Sequence, residues 1–170
     1  MSNIDYRDAT EFDAPLMADL GRRSFVETFG HLYSAENLAA FLLNHSEENW
    51  RTELTDPLYS VRLAEQEGQA IGFAKVGPTH LAFEPEGPAT ELRQFYVLGP
   101  WQGAGIAQVL MDWVIAESRR RGAGEIYLSV FIDNARAQRF YARHGFEEVG
   151  RHNFMVGTQA DVDVIMRLTL

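Results

Sequence analysis

The feature that most constrains this chain is a glycine turn set between a strand and a helix. Thr90–Leu98 reads as a strand, and Gly99-Pro100 stops it. Gln102-Gly103-Ala104-Gly105-Ile106-Ala107 then leads straight into a helix predicted over Ala104–Arg121, with Ile106, Val109, Leu110, Trp113 and Val114 at helical spacing. A tight turn at that place leaves backbone N–H groups pointing at the helix entrance with the helix dipole behind them. Together they form a site for a phosphate group. Glycine lets the backbone approach the anion closely.

Three kinds of phosphate turn fit a strand–turn–helix, and the residues separate them. A Walker loop needs Gly-Lys-Ser/Thr, and the only lysine in the chain is Lys75. A dinucleotide fingerprint needs a third glycine where Gln108 stands and an acid ending the next strand, whereas Glu125 begins it. A pyrophosphate turn of the acyl-CoA type, Gln/Arg-x-x-Gly-x-Gly/Ala, is matched by Gln102–Ala107 at every defined position. A strand–helix connection with no ligand can carry the same glycines, so the hexamer alone leaves that reading open.

The rest of the chain surrounds this turn with alternating elements. Asn3–Asp8 is predicted as a first strand. Glu11–Phe29 follows as a helix, with Thr10 and Asp13 as an acidic capping box and Gly30 at its end. Ser34–Asn44 and Ser46–Leu54 are two shorter helices. Tyr59–Glu65 and Ala70–Val76 are strands joined at Glu67-Gly68, a hairpin signal. Glu125–Val130 is a strand, Asp133 or Asn134 caps a helix running to His144, and Phe146–Val156 and Val162–Leu168 close the chain as strands. No linker or repeat divides the 170 residues, so one domain over 1–170 is expected: a mixed α/β sheet with helices on both faces.

Charge narrows the partners. The net charge is −9, which argues against nucleic acid or an anionic membrane as partner. Residues 1–90 hold 15 acids and 6 bases, while residues 91–170 hold 9 of each. Seven arginines fall within 119–151, so that half suits an anion and the other half a cation. No cysteine is present, which removes disulfides, thiolate metal sites and a cysteine nucleophile. The five histidines form no i,i+4 pair, so no metal is expected. The polar start Met1-Ser2-Asn3-Ile4-Asp5 is unlike a signal peptide, and a cytoplasmic setting is expected.

A second motif stands about 25 residues beyond the first. In Asp133-Asn134-Ala135-Arg136-Ala137-Gln138-Arg139-Phe140-Tyr141-Ala142-Arg143-His144-Gly145-Phe146, the residues Asn134, Ala137 and Tyr141 share one helix face. Over 91–146 the chain resembles the GNAT superfamily of N-acetyltransferases, matching both its acetyl-CoA turn and its Asn-x-x-Ala-x-x-x-Tyr-x-x-x-Gly-Phe helix. A looser similarity, to the bacterial PaiA-type polyamine acetyltransferases, rests on Ser24–Phe29, Ser34–Asn37, His152–Phe154, Gly157 and Asp161.

The resemblance implies a mostly antiparallel sheet in which one parallel strand pair, 90–98 and 125–131, splays apart to hold the cofactor arm. It implies acetyl-CoA as cosubstrate, with the backbone of Phe95, Tyr96 and Val97 binding the arm and the Phe95 amide polarising the thioester carbonyl. Amides of Gln102, Gly103, Ala104, Gly105, Ile106 and Ala107 would hold the pyrophosphate, and Asn134 would contact cofactor or strand backbone. Tyr141 corresponds to the residue that protonates the leaving sulfur, and Glu91 to a base acting through water. Without cysteine the acetyl group would pass directly to the acceptor in a ternary complex. Glu27, Phe29, His31 and Tyr33 are placed near the acceptor rim, with a small-molecule amine, a polyamine first, as acceptor. Another amine (an amino acid, a peptide N-terminus or an amine toxin) is the alternative acceptor. A non-catalytic acyl-CoA-binding protein is the alternative function, and a homodimer is one expected assembly.

Overall fold

The computed structural model of the chain describes residues 3–81 and 84–170, so the polar start at Met1 and Ser2 lies outside it. Seven strands form one sheet: β1 (Ile4–Asp8), β2 (Ser60–Gln66), β3 (Gln69–Gly77), β4 (Ala89–Val97), β5 (Glu125–Phe131), β6 (Glu147–Val156) and β7 (Gln159–Thr169). Their order is β1-β2-β3-β4-β5-β7-β6. Every neighbouring pair is antiparallel except β4–β5, which is parallel. Three helices precede β2: α1 (Ala14–Phe29), α2 (Ala35–Leu42) and α3 (Glu47–Thr55). α4 (Ile106–Arg120) links β4 to β5, and α5 (Ala135–Arg143) follows β5. No helix among the described residues is long and apolar enough to cross a membrane.

Both faces of the sheet are covered. Ile106, Leu110, Met111 and Val114 of α4, with Tyr141 and Phe146, pack on Ala74, Val76, Leu92, Ile126 and Leu128. On the other face Met17 and Leu20 of α1 and Trp50 of α3 pack on Leu63, Phe73 and Leu98. β3 runs through both cores and is buried from Ala70 to Gly77, as a strand covered on both sides must be.

Element ends differ from the sequence expectation where the chain makes special turns. Residues Glu11–Asp13 form a 3-10 turn before α1, closed by the Thr10–Asp13 capping box, and Pro15 starts the α-helix without needing an N–H partner. α4 begins at Ile106 rather than Ala104, because Gly105 sits at φ +84° just before it. β7 begins at Gln159 because a two-residue turn, Gly157-Thr158, joins it to β6.

The parallel pair is short. Only Ala89, Thr90 and Glu91 pair with Glu125, Ile126 and Tyr127. Just beyond, the β3–β4 register steps from Val76↔Leu92 to Lys75↔Gln94, which leaves Arg93 as a bulge. A bulge adds twist and bends its strand, so β4 turns away from β5 there while staying paired to β3 as far as Val97. The sheet thus opens into a fork at its centre.

One buried ion pair ties the helical layer to the sheet. The Lys75 ammonium is 6% exposed, lies 2.5 Å from Glu53 on α3 and stands over the Trp50 ring at 4.7 Å. Burial lowers the Lys75 pKa, and the Glu53 charge opposes that shift. Glu53→Gln should lower stability by about 2–4 kcal/mol in urea unfolding, because it strands a buried cation. Adding Lys75→Met should restore most of the loss.

Candidate active site

The fork is the centre of a cleft of about 590 Å³ that passes through the sheet, a size suited to a small-molecule site. One side is formed by the end of β4, the glycine turn and α5. The other is formed by α1, α2 and the β6–β7 hairpin.

Strand alternation decides which backbone groups face the gap. The Leu98 N–H bonds to Ile71 O on β3 at 2.9 Å. Residues two apart point the same way, so the amides of Phe95 and Val97 face the gap left by β5. The glycine turn continues this line. No backbone acceptor among the described residues reaches the amides of Gly103 through Gln108, and the last three of these head α4 with its dipole behind them. Gln102 folds back across the turn, its side chain donating to Val97 O at 3.0 Å and accepting from Arg136 of α5.

α5 presents Tyr141 to the cleft. Asn134 caps the helix by accepting from Ala137 N at 3.2 Å, and Gln138 donates to Phe131 O and Ile132 O, which fixes the helix start on the end of β5. Tyr141 is buried among Phe95, Phe140 and Phe146. That burial pushes its phenol pKa well above the ordinary value, so the phenol keeps its proton at neutral pH and can donate a hydrogen bond into the cleft.

The opposite wall is aromatic: Phe25, Phe29, Tyr33, Phe41 and Phe154 line it. Phe25 stacks on Phe41 at 4.2 Å, and Phe41 meets Phe154 edge-on at 5.5 Å. Hydrogen bonds from Tyr33 and from both the amide and the hydroxyl of Thr158 fasten this wall to the hairpin. The Tyr33 hydroxyl donates to Asp161 at 2.6 Å, and Thr158 N donates to the Asn37 side chain at 3.0 Å. Asn37 and the hairpin around Gly157 and Asp161, more than a hundred residues apart in sequence, therefore meet at one end of the cleft. His45 lies at the back, its pKa lowered to about 4 by burial and by the charges of Lys75 and Arg22, so it is neutral.

Several residues named from sequence line the cleft: Phe95, Tyr96, Val97, Gln102, Gly103, Gly105, Ala107, Asn134, Tyr141, Phe29 and Tyr33. The Gln102 amide, expected to hold the pyrophosphate, instead donates to Gly99 O at 3.1 Å, because Gly99–Trp101 form a 3-10 turn. Others lie off the lining. Ile106 is buried in the core and Ala104 faces outward. Glu27 accepts from the Gly99 amide, tying α1 to the loop after β4, and His31 is exposed. Glu91 is 2% exposed and sits at the last paired rung of the fork, its carboxylate held by His80 Nδ1 at 2.7 Å and Arg93 Nε at 3.2 Å. Sequence reasoning passed over Asp163, a buried carboxyl that does line the cleft. Its signal is an acid on the strand face that also carries Asp161 and Ile165, buried beside apolar neighbours. No group of three or more His, Asp or Glu among the described residues is placed to hold a metal ion.

A forked parallel strand pair, a turn of free amides and a tyrosine at the junction define an acyl-transfer scaffold. Residues 18–146 match the Acetyltransferase (GNAT) family, and the chain belongs to it. An uncharacterized N-acetyltransferase of Mycobacterium tuberculosis is 31% identical over 155 residues, 91% of this chain and 96% of that protein. Among solved structures, the PaiA N-acetyltransferase from Thermoplasma acidophilum in complex with coenzyme A superposes with a TM-score of 0.78 at 19% identity, over 99% of each chain. The yncA structure from Salmonella typhimurium with acetyl-CoA gives 0.70 at 22%, over 99% of this chain and 95% of that one. At such identities the two structures establish the fold.

Gly105 offers a clean test of the turn. A Cβ there meets nothing within 4 Å, so only its φ of +84° resists a side chain. Gly105→Ala should therefore cost roughly 1 kcal/mol in urea unfolding, all of it conformational.

Proposed function

We propose that the chain transfers the acetyl group of acetyl-CoA to a primary amine in one direct step, within a ternary complex. The observation that carries this is the continuity of the cleft. It joins the free amides at the head of α4 to the aromatic wall, with Tyr141 between them.

The donor side has the chemistry a thioester with a pyrophosphate tail requires. Amides of Gly103 through Ala107 would hold the pyrophosphate, with Ala104 and Ile106 contributing backbone only. Arg136 and Arg143 line this side and carry the positive charge for its phosphates. The Phe95 N–H, facing the gap, would polarise the carbonyl as oxyanion donor. Acetyl-CoA supplies the activated acyl group. Tyr141 holds its proton at neutral pH and delivers it to the leaving sulfur. No cysteine exists to carry the acetyl group on the way.

The lining supports a small amine with one ammonium group on an apolar body. Five aromatic rings meet the body, and among the described residues none of the acids in 1–90 lines the cleft. A polyamine is the second reading, supported by the net charge of those residues, which would draw a polycation towards the cleft.

Thiol release from acetyl-CoA should be measured with 2-phenylethylamine, putrescine, spermidine, spermine, amino acids and short peptides. Turnover of single-ammonium amines is expected. A preference for spermidine whose KM rises with salt would favour the polyamine. Tyr141→Phe should lower kcat about 10²–10⁴-fold with little change in acetyl-CoA affinity. Gly105→Glu should abolish acetyl-CoA binding by calorimetry, since its charge opposes the pyrophosphate. Unaltered affinity would place the donor elsewhere.

A further inference from the structure

Asp163 is the one carboxyl that lines the cleft among the described residues. It is 6% exposed and pairs in register with Phe131 on β5 and His152 on β6. A buried carboxylate ordinarily meets a cation. Here its nearest basic group is His152 Nε2 at 3.9 Å, beyond hydrogen-bond reach, and that nitrogen is buried with no hydrogen-bond partner. Burial lowers the His152 pKa, and the charge of His80 lowers it further, so His152 is neutral at pH 7. A second orphan lies in the same cleft, the buried Gln94 Oε1, which has no donor. The Asp163 carboxylate accepts one hydrogen bond, from Ser129, and meets no cation, while Gln94 Oε1 has no donor; the two together call for a group that donates several hydrogen bonds and carries positive charge. An alkylammonium has three donors and one charge.

We propose that the Asp163 carboxylate receives the ammonium of the acceptor at the floor of the cleft and takes the first of the two protons that leave its nitrogen. This rests on the reading of the cleft as the site of acetyl transfer to an amine. The balance closes with groups already placed. R–NH3+ gives one proton to Asp163 and becomes a free amine. The nitrogen lone pair forms the bond to the acetyl carbon, and the carbon–sulfur bond breaks. Tyr141 gives its proton to the sulfur, and the second nitrogen proton restores the phenol. Asp163 then loses its proton to water, and the products are the acetamide, the thiol and one H+.

The surroundings of Asp163 suit a base that works near neutrality. Burial raises its pKa to about 6, the Ser129 hydrogen bond opposes the rise, and the charge of Asp161 adds to it. Other titratable groups facing it are Tyr33, its phenol held protonated by burial and by its hydrogen bond to Asp161, and Tyr96, held protonated by burial and by the Asp163 charge. Beyond His152 stands the His80–Glu91 pair. The ionised, competent form accumulates above about pH 6. The kcat/KM of the free enzyme should therefore rise from pH 5 to 7, with its midpoint near 6.

The test uses the full chain with acetyl-CoA and two probe amines, 2-phenylethylamine and spermidine. Asp163→Asn should lower kcat/KM for the better probe by roughly 10²-fold or more. It should also erase the limb near pH 6, leave acetyl-CoA affinity unchanged and keep the melting temperature at pH 8 at or above that of the parent chain. Ser129→Ala, which removes the hydrogen bond opposing the shift, should move the limb to higher pH, an effect a structural role would not give. Retention of kcat/KM within about threefold and of the limb in Asp163→Asn would overturn the proposal. If Asp163→Asn does not fold, an unmoved limb in Ser129→Ala overturns it. If the parent chain releases no thiol with any amine, the acetyl-transfer reading fails on its own. Calorimetry of the two amines against protein saturated with coenzyme A then decides for Asp163. Binding at pH 8 that is lost in Asp163→Asn supports it, and equal binding or none contradicts it.

Discussion

The structure depends on the early parting of β4 and β5. Three rungs of parallel pairing hold the two strands together, and the bulge at Arg93 then turns β4 away while β3 keeps it in the sheet. Backbone N–H and C=O groups without partners are normally a cost inside a protein. Here they are exposed along a cleft, where a ligand with its own donors and acceptors can meet them. Glu91, held between His80 and Arg93 at the last paired rung, fixes the place where the opening begins.

The groups proposed to carry acyl transfer are arranged around that opening. The helix heads of α4 and α5 meet it from one face of the sheet, bringing free amides, two arginines and Tyr141. α1, α2 and the β6–β7 hairpin meet it from the other face with aromatic rings and one buried acid. The donor wall is built from local sequence. The acceptor wall is built from segments more than a hundred residues apart, joined by Tyr33–Asp161 and Asn37–Thr158.

That difference explains what could be read in the sequence. The glycine turn, the capped helix of Asn134 and the position of Tyr141 depend on short-range spacing, and residues of all three line the cleft. The acceptor side depends on which faces of distant strands and helices converge. Phe29 and Tyr33 do reach the cleft. Glu27 and His31, on neighbouring turns of the same region, point to Gly99 and to solvent. Nothing local in the sequence marks Asp163, an acid on the last strand, as facing a cleft. Only the pairing of β7 between β5 and β6 puts it there. The charge excess of residues 1–90 was legible, but its placement outside the cleft was not.

On the proposed function, the fork leaves the amides of Phe95 and Val97 free for the donor's arm while those of Gln94 and Tyr96 stay bonded to β3. Residue-resolved amide hydrogen exchange, with and without saturating coenzyme A, tests it most directly. Fast exchange is expected at Phe95 and Val97 in the free protein, with strong protection when coenzyme A is bound and little change at Gln94 and Tyr96. Protection of Phe95 and Val97 before any ligand is added, or no gain when it is, would contradict it.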